Sequence, residues 1–64
     1  MKIKKTIQTF ESGVYNTYYL DELENGDFII TQDEFIKDAF HTFKEAEKEF
    51  KRLARLANST IEYH

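Results

Sequence analysis

Side chains able to do chemistry are few in this 64-residue chain: two histidines, His41 and His64, two serines, Ser12 and Ser59, and twelve acids, with no cysteine. No serine stands with a base at a spacing that would activate it, and His41, just ahead of a helix-capping threonine, reads as a boundary residue. Asp33, Asp38 and His41 lack a recognised metal-ligand spacing. Neither a P-loop nor a dinucleotide fingerprint is present, and both glycines belong to turns. The expectation is a protein that is not an enzyme and carries neither cofactor nor metal.

Charge is the feature that points to a role. Residues 11 to 40 hold eight acids (Glu11, Asp21, Glu22, Glu24, Asp27, Asp33, Glu34, Asp38) against one base, Lys37, a net of −7. Residues 1 to 10 carry Lys2, Lys4 and Lys5, and residues 41 to 64 come to +1, so the overall −3 conceals the asymmetry. Acids solvate turns and strand ends in many small domains. Concentrated this way, they also fit a surface that docks on a basic one and stands in for nucleic-acid phosphates.

The elements that position these residues follow from local patterns. Thr42-Phe43-Lys44-Glu45 is a capping box, in which the threonine hydroxyl and the glutamate carboxylate satisfy free backbone donors at a helix start. Behind it Phe43, Ala46, Phe50, Leu53, Ala54 and Ala57 recur at helical spacing and form one dry stripe, predicting a helix over about 43–57. Early acids and late arginines complement its dipole, Glu47 and Lys51 make an i,i+4 pair, and Asn58 suits a left-handed stop.

Upstream, Glu11-Ser12-Gly13 and Glu24-Asn25-Gly26 are hairpin signals, each with a glycine suited to positive φ. They predict strands over roughly 2–11, 14–23 and 27–32. A two-residue first loop and a three-residue bulged second loop put Ile3, Ile7, Val14, Tyr18, Leu20, Phe28 and Ile30 on one face, toward the helix. Lys4 then lies opposite Asp21, and Phe10 opposite Tyr15, on the other face. Making Asn25-Gly26 the whole second turn would oppose Glu24 and Asp27, a like-charge clash. Asp33 to His41 fits a short strand or a helical turn, and Thr60 to Tyr63 alternates as a short last strand.

The expected fold is therefore α+β, a single domain over 1–64: an antiparallel three-stranded β-meander, open to one or two short additions, with one long amphipathic helix on one face. Aromatic residues make up 16% of the chain, enough for a core without disulfides, though a domain this short buries only about 60% of the surface its unfolded chain exposes. No secretory leader pattern and no run of about 18 apolar residues occurs, so no membrane and a cytoplasmic location are expected. The chain would be a monomer or a small homo-oligomer.

Three strands followed by Phe40-His41-Thr42-Phe43-Lys44-Glu45-Ala46-Glu47 resemble the end of the AP2-like N-terminal domains of phage-type integrases. The resemblance covers residues 14 to 57 in architecture and those eight in motif. It implies a sheet presented to DNA and braced from behind by the helix. A DNA-reading sheet needs Lys or Arg to neutralise phosphates, yet residues 14 to 36 contain neither, which leaves Lys2, Lys4 and Lys5.

The leading expectation is a protein-binding module whose partner is another protein with a basic surface, of the kind represented by small phage or mobile-element inhibitors of anti-CRISPR or anti-restriction type. Its contact residues would be Asp21, Glu22, Glu24 and Asp27 at the hairpins with Phe10, Tyr15, Tyr19 and Ile29 on the reverse sheet face, since aromatics bring large contact area at low rotamer entropy. The alternatives are a small AP2-like DNA-binding domain and a structural, oligomerising protein.

Overall fold

In a computed structural model the described residues are 2–13 and 16–64. The helix α1 spans Phe43–Leu56 and starts as its sequence dictates. Thr42 is extended and its hydroxyl accepts the Glu45 N–H at 3.3 Å. The Thr42 hydroxyl donates to the Glu45 carboxylate at 2.8 Å, so the glutamate closes the box on a side chain and not, as expected, on a backbone donor. At the other end Asn58 adopts φ 55°. The Ser59 and Asn58 N–H groups donate to the carbonyls of Ala54 and Arg55 at 2.9 and 3.0 Å, the paired bonds of a left-handed helix stop.

Five antiparallel strands form one sheet in the order β4-β3-β2-β1-β5: β1 Ile3–Ser12, β2 Asn16–Leu23, β3 Phe28–Gln32, β4 Phe35–Phe40 and β5 Glu62–Tyr63. The sheet is thus larger than the expected meander. Residues 35–40 are a strand, and the last strand exists as a two-residue rung on β1, Gln8 facing Tyr63. Asp33, at φ 54°, opens the tight β3–β4 turn.

The β2–β3 hairpin has the anticipated three-residue loop. Leu23 N–H donates to the Asp27 carbonyl at 2.8 Å, Gly26 N–H to the Leu23 carbonyl at 3.0 Å, and Gly26 takes φ 93°. Tyr18, Leu20, Phe28 and Ile30 accordingly share the helix-facing side.

The β1–β2 register differs from expectation. Ser12 pairs with Asn16 and Phe10 with Tyr18, where the expected register would have Glu11 pairing with Val14 and Phe10 with Tyr15. Val14 and Tyr15, with the expected Phe10–Tyr15 pair, lie outside the described residues. The pairing also shifts between Thr6 and Gln8 and between Ile3 and Lys5. Ile3 is consequently exposed and Ile7 half-buried, while Gln8 and Phe10 enter the interior. Thr6, not Lys4, faces Asp21, and Lys4 pairs with Glu22 at 3.8 Å.

Aromatic packing is what this register gains. The Phe10 ring stacks on Tyr18 at 4.6 Å and meets Phe50 edge-on at 4.9 Å. Leu20, Ile30, Ala46 and Ala54 complete the buried cluster, closed by Phe28, Phe40, Phe43, Leu53 and Ile61. The helix stripe meets the sheet as its spacing predicts. Burying Gln8 is the cost: its Nε2 donates to Glu47 at 3.3 Å, and its Oε1 has no partner among the described residues.

Candidate functional site

With α1 on one side, the other side of the sheet is left open, and strand alternation determines what it displays. Tyr19 and Asp21 of β2 pair with Thr31 and Ile29 of β3, and Thr9 and Thr6 of β1 lie on their other flank. Leu23 and Ile29 are buried and lie outside the helix-side cluster.

Two depressions mark this face, with the half-buried Tyr19 between them. One, of 380 Å³, is floored by Asp21, Ile29 and Thr31 and walled by Ile3, Ile36 and the turn acids Asp33 and Glu34. The other, of 490 Å³, runs over Thr9 and Thr17 and is edged by Glu11, Glu62 and His64. Five acids therefore lie on the open face, and among the described residues no Lys or Arg lines either depression. A face so composed favours positively charged groups and offers Tyr19 and Ile36 as apolar contact area.

Several of these carboxylates are anchored. Asp21 is only 3% exposed and accepts the Thr6 hydroxyl at 2.7 Å, which supplies the partner that a buried polar group needs. The Asp33 carboxylate accepts the Thr17 N–H at 3.2 Å while the Asp33 N–H donates to the Thr17 carbonyl at 2.8 Å, tying the β3–β4 turn to β2. Thr9 Oγ1 and His64 Nε2 are 2.8 Å apart. The Ser59 hydroxyl donates to the Glu11 carbonyl. Glu11, Glu34 and Glu62 are exposed.

Among the residues expected to make contact, Asp21, Tyr19 and Ile29 share the open face, Asp21 and Ile29 as floor and Tyr19 as the ridge. Phe10 does not: it is 2% exposed and belongs to the helix-side core, because its pairing with Tyr18 in place of Tyr15 reverses its face. Glu22 turns to the helix side, opposite Phe28. Glu24 is exposed in the β2–β3 turn, and Tyr15 lies outside the described residues. Asp27 is engaged locally, its N–H donating to Asn25 Oδ1 at 2.9 Å and its carboxylate 3.0 Å from His41 Nδ1. That carboxylate, first by its hydrogen bond and then by its charge, raises the His41 pKa above the usual 6.5, helped by the charge of Glu45.

Asp33, Glu34, Glu62 and Ile36 join the open face without having been singled out as contacts. For Ile36 the available signal was the alternation of β4: once residues 35–40 are a strand opposite β3, Ile36 sits across from Thr31. Among the described residues no three His, Asp or Glu side chains gather as a metal would require. Asp33, Asp38 and His41 each bond elsewhere, to the N–H groups of Thr17 and Ala39 and to the Asp27 carboxylate. No described helix is long and apolar enough to cross a membrane.

No family model matches the chain, and no curated protein or solved structure is similar enough to it to count as a match.

Proposed function

We propose that this chain is a non-enzymatic binding module that sets the open face of its sheet against a basic surface of another protein. In this reading the partner is a nucleic-acid-binding protein of a host cell. The chain is an inhibitor of phage or mobile-element type whose carboxylates occupy sites that phosphates would take. The observation that carries the reading is the composition of the face: five acids, no Lys or Arg in the lining, and Tyr19 and Ile36 between them. Acids kept only for solubility have no reason to gather on the one broad face the helix leaves bare. Opposed charge steers encounter and excludes wrong partners, while the apolar centre supplies contact area.

The test starts from a partner recovered on the immobilised chain from the native host and then purified. Glu11→Gln, Glu34→Gln and Glu62→Gln are combined, because these three are exposed, whereas Asp21 and Asp33 hold the sheet together. The expected result is association slowed by about tenfold or more, with a flatter salt dependence. Affinity indifferent both to the triple change and to salt overturns the reading. So does direct retardation of a DNA duplex that disappears when Lys2, Lys4 and Lys5 are neutralised.

A further inference from the structure

The sheet ends on β4, and this edge is built unlike the other. β5 is a two-residue strand, too short to template anything, whereas β4 offers six residues, and only Phe40 among them is even half-buried. Phe35 is 76% exposed and Ile36 52%. A long open edge with large apolar side chains is a pairing surface unless something blunts it.

The direction of its backbone groups can be derived from the neighbouring ladder. Leu23 N–H bonds to the Asp27 carbonyl and Asp33 N–H to the Thr17 carbonyl, so odd-numbered residues of the third strand bond toward β2. By alternation, Phe28, Ile30 and Gln32 bond toward β4, to Phe40, Asp38 and Phe35. Ile36 and Ala39 therefore point their N–H and C=O groups out of the sheet. The Asp38 carboxylate accepts the Ala39 N–H at 2.9 Å, as expected of an N–H with no strand beside it.

Lys37 is the extra residue at a register shift, since Ile30 pairs with Asp38 and Thr31 with Ile36. In a regular strand, residues three or five apart lie on opposite faces. The shift at Lys37 brings Ile36 and Ala39 to the same open face, and Phe35 and Phe40 to the same helix-side face. Read antiparallel against a second copy, the strand Phe35-Ile36-Lys37-Asp38-Ala39-Phe40 is then complementary to itself. Phe35 meets Phe40, Ile36 meets Ala39, and Lys37 meets Asp38, each twice across a two-fold axis. Outward backbone groups match as well, because Ile36 and Ala39 are the two that face each other.

We infer that two copies of this chain associate through β4, forming a continuous ten-stranded antiparallel sheet with both helices on one side and both acidic faces on the other. In the free chain Asp38 caps the Ala39 N–H; in the dimer that N–H bonds to Ile36 of the second copy and Asp38 takes Lys37 of the second copy. A charged pair in the middle of an edge usually prevents pairing. Here its order, lysine then aspartate, selects this one antiparallel register and opposes the shifted ones. The inference is independent of what the acidic face binds.

Sedimentation equilibrium of the full chain from micromolar to near-millimolar concentration is the test. The expected mass rises from 7.7 kDa to twice that value. Lys37→Asp or Asp38→Lys alone puts like charges together at both symmetric pairs and weakens the dimer by about tenfold or more. The double change Lys37→Asp with Asp38→Lys restores it. Ile36→Pro removes an outward N–H that makes no ladder bond and abolishes the dimer, with circular dichroism confirming a folded chain. A chain monomeric at every concentration overturns the inference. A dimer unaffected by Ile36→Pro does so too, and a dimer lost with Ile36→Pro but indifferent to the charge changes overturns the register.

Discussion

Replacing Phe10 by alanine separates the two possible faces of the first strand by a measurable amount. In the structure the ring is 2% exposed, stacked on Tyr18 at 4.6 Å and set edge-on to Phe50 at 4.9 Å. Truncating a buried phenylalanine costs about 3–5 kcal/mol, and two aromatic contacts worth about 0.5–1.5 kcal/mol each beyond area place this site toward the upper end. A 64-residue chain has roughly 3–10 kcal/mol of stability at about 0.05–0.15 kcal/mol per residue. Phe10→Ala should therefore remove a third of the stability at least, and nearly all of it if the chain lies at the lower end of that range. Phe10→Leu, which preserves most of the apolar volume, should lose about 1–1.5 kcal/mol, a fall of roughly 5–10 °C in Tm for a domain of this size. Urea titration followed by circular dichroism reads both. Were Phe10 exposed to solvent instead, Phe10→Ala would change stability by no more than about 0.5 kcal/mol. That result would refute the pairing of Phe10 with Tyr18 and the core derived from it.

Two further outcomes follow from buried and charged pairs. Gln8→Met should raise stability by about 1 kcal/mol in the same titration, because it removes a buried, unpartnered Oε1 while Glu47 keeps its pairing with Lys51. A loss of stability would mean that the Gln8–Glu47 bond outweighs the orphaned oxygen. The His41 imidazole should titrate above 6.5 by proton NMR, and Asp27→Asn should lower it toward the ordinary value. Since the folded pKa is the higher one, the contribution of this pair to stability is fully present below pH 6.5 and lost as the pH rises through the folded pKa. A His41 signal that titrates identically in Asp27→Asn would dissociate the shift from this contact.

Local chemistry made much of this molecule legible. The helix and both of its ends rest on contacts within a few residues: Thr42 with Glu45 at the start, Asn58 at positive φ at the end. The β2–β3 turn is equally local, and the clash of Glu24 with Asp27 was enough to choose its loop length. The concentration of acids was visible too, but its distribution was not. Asp21 and Ile29 were placeable because their strands flank that well-determined turn, whereas Asp33, Glu34, Ile36 and Glu62 joined the same face only once β4 and β5 had docked.

The first strand shows where local information ends. Alternation alone puts Ile3 and Ile7 inside and Phe10 outside. Which face wins depends on whether Phe10 finds partners, and its partner Phe50 is forty residues away in sequence. Stacking on Tyr18 and packing on Phe50 outweigh the burial of Gln8 and the two register shifts in β1, a comparison that no window of a few residues contains. The sequence by itself thus determined the helix, its caps, the second turn and the excess of acids. Only the tertiary structure decided the face of β1, the fourth and fifth strands and the gathering of the acids on one open surface. Turn and cap energies depend on neighbours in the chain, while register depends on which distant side chains fill the same volume.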